Sequence, residues 1–305
     1  MASWQAHLSV WIVKWRVKRK LRGVRDYRHA RRILNPDPYT VPATVRISPA
    51  QVGGVPGEWV DGPSPAPAKS VLLYLHGGGY FGCSAQSHRP ITAGFALQGF
   101  RVLAPDYRLA PENRFPAAVD DAVAAYRGLL SEGNLPGHVV VSGDSAGGGL
   151  ALSLMLALRE AGIPLPAGAA LFSPWTDLAA TGESVRTNAD RCAMFNGPDI
   201  GPSARYYLGD MDPRNPLASP LYADLTGLPP LLIHVGADEV LRDDSTRLAE
   251  RARAAGVRVE LKVWPVVPHA WQLAPQKIPE ARQSLRESAA FLRELAASES
   301  SNQVA

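Results

Sequence analysis

Hydrophobic residues in this chain gather into short unbroken runs, separated by longer segments with helical spacing. VLLYL (71–75), RVLA (101–104), VVVSG (139–143), AALF (169–172), LLIHV (231–235) and VRVELKV (257–263) have the length and the β-branched, aliphatic character of strands. Between them, residues 88–98, 116–131, 146–161 and 243–255 read as helices, and a last helix is expected from about Pro279 to Ala297. Runs that are apolar throughout belong to strands buried on both faces. Their alternation with helices predicts an α/β fold with a mostly parallel central sheet and helices on both faces. Two earlier strands, near 43–48 and 57–60, are expected as antiparallel members at one edge.

The pattern breaks in two places. Nearly sixty residues separate AALF from LLIHV, more than a crossover needs. That insertion holds Met194, Phe195, Tyr206, Tyr207 and Tyr222 among many Gly and Pro residues, which predicts a lid or binding wall. At the N-terminus, Trp4, Leu8, Trp11 and Trp15 recur at helical spacing within residues 3–22, and basic residues crowd from Lys14 to Arg32. This is the signature of a basic amphipathic helix. It fits either contact with a membrane surface or an aromatic stripe that packs on its own protein while the cations stay in water. The second is the expectation.

Charge changes the picture little. The net charge is +4, with the excess concentrated in that first segment, so nucleic-acid binding is not expected. With 46% hydrophobic residues, 305 residues suffice for a large core on one sheet. Cys83 and Cys192 lie far apart without metal-ligand spacing. Neither a disulfide framework nor a zinc site is suggested, and a cytoplasmic location is the natural reading. The basic residues follow the apolar positions instead of preceding them, so no secretory leader is expected. No apolar run approaches the ~18 residues of a transmembrane helix.

Candidate chemistry centres on GDSAG, residues 143–147, where VVV turns directly into an apolar helix. A turn that sharp crowds its flanks, and Gly143 and Gly147 stand two places either side of Ser145. The G-x-S-x-G pattern lifts a serine hydroxyl to the top of a sheet, where it serves as a nucleophile. A serine needs a base and its oxyanion needs aimed donors. LHGGGY (75–80) follows the strand VLLYL and offers the N–H groups of Gly78 and Gly79, with Ala146 at the helix start as a third donor. His76 is expected to fix the loop, and Asp144 to anchor the turn. Of the seven histidines, His7 and His29 lie in the basic segment, His88 precedes a helix, His138 precedes a strand and His234 sits inside one. His269, in a loop between the last strand and the last helix, suits a base. The orienting acid should follow LLIHV, where Asp238, Glu239, Asp243 and Asp244 compete. The last two are expected to begin a helix.

HGGG, GDSAGG, the intervening DYRLAPENRFPAAVDD and SPWTDL (173–178) together resemble the hormone-sensitive lipase-like esterases, the bacterial family IV carboxylesterases of the α/β-hydrolase fold. The resemblance runs from about Val71 through His269. It implies a serine carboxylesterase acting on short- to medium-chain esters without cofactor or metal, with Ser145 as nucleophile, His269 as base and Gly78, Gly79 and Ala146 as oxyanion donors. It implies a helical cap formed by residues 1–45 and the insertion 179–225 over a catalytic domain of 46–178 and 226–297, with 298–305 a flexible tail. A homodimer is compatible with it. Within that cap, Trp4, Leu8, Trp11 and Trp15 are expected to close the acyl pocket from above. Many members read D-P-L-x-D around the acid, whereas this chain reads E-V-L-R-D. Counting back four from Asp243 selects Glu239. Arg108 and Glu112 are expected in structural polar contacts under the site. Alternatives are arylamide deacetylation or lipid ester hydrolysis on the same machinery, and a non-catalytic α/β-hydrolase receptor, which would be expected to lack one of the three residues.

Overall fold

The computed structural model describes residues 2–35, 39–63 and 70–302. Eight strands form one sheet: β1 (Arg46–Val52), β2 (Val55–Asp61), β3 (Val71–Leu75), β4 (Arg101–Pro105), β5 (Val139–Asp144), β6 (Ala169–Phe172), β7 (Leu231–Gly236) and β8 (Val259–Trp264). Their spatial order is β1-β2-β4-β3-β5-β6-β7-β8. The β1–β2 and β2–β4 pairs are antiparallel and all others are parallel, as the pattern predicts.

The helices are α1 (Trp4–Val13), α2 (Arg19–Leu21), α3 (Tyr27–Leu34), α4 (Arg89–Ala96), α5 (Ala117–Ser131), α6 (Ala146–Glu160), α7 (Ser184–Thr187), α8 (Ile200–Leu208), α9 (Arg242–Ala254) and α10 (Pro279–Asn302). Successive strand residues point to opposite faces, so the central runs feed two cores. Leu73, Leu75, Val141, Leu171 and Ile233 pack with α5, α6 and α9, whereas Leu72, Tyr74, Val140, Phe172 and Leu232 pack with α4 and α10. This double burial explains the continuous apolar runs. Helix α10 continues past Ala297 to Asn302, so only residues 303–305 of the expected tail lie outside the described residues.

The N-terminal helix overturns one expectation. α1 passes through a π turn (Lys14–Lys18) into α2, and Trp4, Leu8, Trp11 and Trp15 are 70, 45, 64 and 58% exposed. None of them lines the cavity at Ser145. The opposite face holds the helix down instead. Ala6 is buried with Trp264, Trp271 and Ile278, and Ser3 donates to Glu280 through N (2.6 Å) and Oγ (2.8 Å). Lys14 Nζ donates to the Asp190 carbonyl (2.7 Å) and Lys18 Nζ to that of Cys192 (2.8 Å). The four residues do share one face, but α1 also carries apolar residues off that face, and a small alanine and two lysines make the contacts that position it. No helix among the described residues is long and apolar enough to cross a membrane.

Candidate active site

Strand β5 delivers Ser145 into the first residue before α6 with φ 53° and ψ −123°, a backbone strained for any residue with a side chain. The flanking glycines are required by close approach. A Cβ at Gly143 would lie 2.4 Å from the Gly147 carbonyl oxygen, and one at Gly147 would lie 2.0 Å from that of Leu75. The collision at Gly147 is thus with the neighbouring strand β3, not with the opposite flank of the turn. Gly147→Ala is expected to destabilise the protein by at least the ~1–3 kcal/mol of ordinary overpacking. A thermal melt indistinguishable from wild type would contradict this.

Asp144 lies under the elbow. Its carboxylate accepts from Tyr74 Oη (2.6 Å) and Gly77 N (2.9 Å), and His88 Nε2 lies 3.2 Å from it. Burial pushes this carboxyl up, but the charge and hydrogen bond of His88 and the hydrogen bond from Tyr74 outweigh it and hold it at about 2. Asp144 therefore ties the glycine loop after β3 to the elbow after β5. His88 is the member of this network that lies in no motif.

The glycine loop is shaped by Gly78 (φ 115°) and Gly79 (φ 64°), conformations that L side chains rarely adopt. Among the described residues, no protein acceptor takes the N–H groups of Gly78, Gly79 or Ala146. His76 stacks on Tyr107 with ring centroids 4.2 Å apart, and burial pushes it down to about 3. It is a neutral structural ring, in the place expected of it.

Glu239, just after β7, is 2% exposed. Its Oε1 accepts from Ser173 Oγ and from Gly236 N, both at 2.6 Å, and its Oε2 accepts from His269 Nδ1 at 2.5 Å. With Nδ1 donating, the lone pair of the imidazole resides on Nε2, which is buried without a protein partner. Phe195 from the insertion packs edge-on against the ring at 4.9 Å. Asp238 points elsewhere: its side chain is about half exposed and pairs with Arg191 at 3.1 Å. Asp243 and Asp244 begin α9, but their carboxylates also clamp neighbouring loops. Asp243 accepts from Ser184 N, and Asp244 accepts from Thr176 N and Asp177 N, each at 2.8 Å. His234 is packed in β7 against Ser284, 2.8 Å away.

Ser145, His269, Gly78 and Gly79 line one cavity of about 200 Å³. Its apolar walls come from the N-terminal segment (Val17, Ile33, Leu34), the insertion (Met194, Phe195, Ile200) and Leu273. Arg31 of α3 holds the first wall in place. Its Nε donates to the Phe81 carbonyl (2.5 Å), its Nη2 to that of Ala110 (2.9 Å), and it pairs with Glu112 at 2.8 Å. Tyr80, the last residue of LHGGGY, stacks on Tyr207 of α8 with centroids 3.9 Å apart. Arg108 pairs with Asp121 at the start of α5, at 2.8 Å. Arg108 and Glu112 thus make structural contacts, but with separate partners. Ser173, the first residue of SPWTDL, and Phe195 of the insertion are the further site residues, to which the sequence assigns no individual role.

A sheet of this topology, with a serine elbow after its central strand and a His–Glu pair after its last two, defines an α/β-hydrolase. The alpha/beta hydrolase fold family matches residues 72–273. An acetyl-hydrolase of Streptomyces hygroscopicus is 49% identical over 233 residues, covering 75% of this chain and 76% of that protein. An esterase of Acinetobacter venetianus is 39% identical over 223 residues, 72% and 73% of the respective lengths. Among solved structures, the esterase EstE5 superposes with a TM-score of 0.92 at 38% identity, covering 97% of this chain and all of its own. An esterase from the bacterial hormone-sensitive lipase family gives 0.90 at 42% identity, covering 97% and 99%. The chain belongs to the hormone-sensitive lipase-like carboxylic ester hydrolases of the α/β-hydrolase fold.

Proposed function

We propose that Ser145, His269 and Glu239 are the catalytic residues of a serine esterase that works through an acyl-enzyme. The observation that carries this reading is the buried 2.5 Å contact from Glu239 to His269, at the same cavity as the strained Ser145 elbow. No hydrogen bond joins Ser145 Oγ to His269 Nε2, and such bonds commonly tighten only with substrate present. In the first step Nε2 takes the hydroxyl proton as Oγ attacks the ester carbonyl. The oxyanion is received by the N–H groups of Gly78, Gly79 and Ala146. The imidazolium, stabilised by Glu239, then protonates the departing alcohol. Water deprotonated by the same nitrogen attacks the acyl-enzyme, and Ser145 leaves with the proton.

The apolar walls favour an uncharged acyl group. The S. hygroscopicus relative named for acetyl hydrolysis and the EstE5 crystal soaked with p-nitrophenyl butyrate support short chains. A series of p-nitrophenyl esters tests this. The expected kcat/KM is highest between acetate and hexanoate and falls at least about tenfold by palmitate. A profile still rising at palmitate would favour the lipid esterase reading, and no hydrolysis of any ester would favour the receptor.

A further inference from the structure

We propose that the outward stripe of the N-terminal helix, with the basic hollow at its end, docks on the surface of an anionic phospholipid bilayer. Three of the chain's seven tryptophans, Trp4, Trp11 and Trp15, stand more than half exposed on this helix, while the other four are at most 8% exposed. Leu8 and Ile12 extend the same apolar surface. This orientation is built in. Ala6, Ser3, Lys14 and Lys18 fix the opposite sides of the helix to the protein, so the stripe cannot turn inward without breaking those contacts. Contiguous apolar exposure of this kind marks a contact surface.

The charge beside it selects the partner. Trp15 opens onto a hollow lined by Arg16, Lys20, His29 and Arg32 and by no acidic residue. The exposed face is a convex helix, not a groove, so it enters a partner instead of receiving one. Tryptophan at headgroup depth, flanked by cations over anionic lipid, is the arrangement of an interfacial helix. A nucleic acid would use the cations but leave Leu8 and Ile12 without a role. Val17 and Ile33 belong both to this hollow and to the wall of the catalytic cavity. Docking here would set that wall against the bilayer, where apolar esters concentrate.

The test uses the full chain with vesicles of equimolar phosphatidylglycerol and phosphatidylcholine, against vesicles of phosphatidylcholine alone. Wild type is expected to sediment with the anionic vesicles, with its tryptophan emission shifted to the blue. Binding should weaken at least about tenfold on phosphatidylcholine alone, and also as salt rises to about 0.5 M. The triple variant Trp4→Ser, Trp11→Ser, Trp15→Ser should lose at least about tenfold in binding yet hydrolyse a soluble short-chain ester at the wild-type rate. Arg16→Gln, Lys20→Gln, Arg32→Gln should lose the preference for anionic lipid. Ser145→Ala should bind like wild type, which keeps this inference separate from the catalytic reading. Failure of wild type to bind anionic vesicles, or equal binding by the tryptophan variant, would overturn it. So would stripe-dependent self-association without vesicle binding, which would assign the face to a second copy of the chain.

Discussion

Ser145→Ala is expected to lower kcat for p-nitrophenyl acetate by roughly 10⁴- to 10⁶-fold with the fold intact. The substitution deletes one hydroxyl from a side chain that is 6% exposed and lines the cavity. Alanine meets the same backbone at φ 53° as serine does, and the hydrogen bonds that Ser145 itself contributes to the elbow are main-chain. Ser145 N donates to the Phe172 carbonyl, and its own carbonyl accepts from Trp175 N, both at 2.8 Å. The circular dichroism spectrum and melting temperature should therefore match wild type. What survives is expected to be the stabilisation from the proposed oxyanion donors alone. If the purified variant retained more than about a tenth of the wild-type rate, another nucleophile would have to be sought.

Glu239→Gln is expected to cost roughly 10⁴ in kcat, and Asp238→Asn only a small factor. The reason lies in which oxygen of Glu239 is already taken. Oε1 receives two donors, Ser173 Oγ and the fixed N–H of Gly236. A glutamine must place its carbonyl oxygen there, which turns its NH₂ group toward His269 Nδ1. That nitrogen then has to accept, the ring proton moves to Nε2, and the base faces the serine with no lone pair. Loss of the negative charge also removes support for the imidazolium. Asp238, by contrast, makes an exposed pair with Arg191 of the kind that contributes at most about 1 kcal/mol. Both variants should be compared as folded protein on one short-chain ester. The reverse ranking would transfer the role to Asp238.

Much of this arrangement is readable in the chain because strand burial and chain reversal leave local marks. β3 and β6 coincide with their apolar runs, and β5 and β7 extend theirs by one residue each. Gly143 and Gly147 mark the elbow because only glycine fits so near other backbone. Glu239 is selected only by counting along a family pattern, since nothing local separates two adjacent carboxylates leaving a strand. Ser173 and His88 stayed hidden for a different reason. Each meets its partner across 66 and 56 residues of sequence respectively, and neither stands in a position that demands its residue type. The aromatic stripe misled because helical periodicity reports that a face is apolar but not what covers it.

The π turn at Lys14–Lys18 has a consequence for how the N-terminal segment can diverge. A π turn carries about one residue more than an α turn, and one residue is about 100° of rotation in an α-helix. The sequence before the turn and the sequence after it are therefore phased independently. Trp4 to Trp15 answer to the outside of the molecule, whereas Val17 answers to the cavity at Ser145. Gain or loss of a single residue here would re-aim one register against the other without rewriting either. The exposed stripe and the cavity wall can then vary separately within one continuous helix.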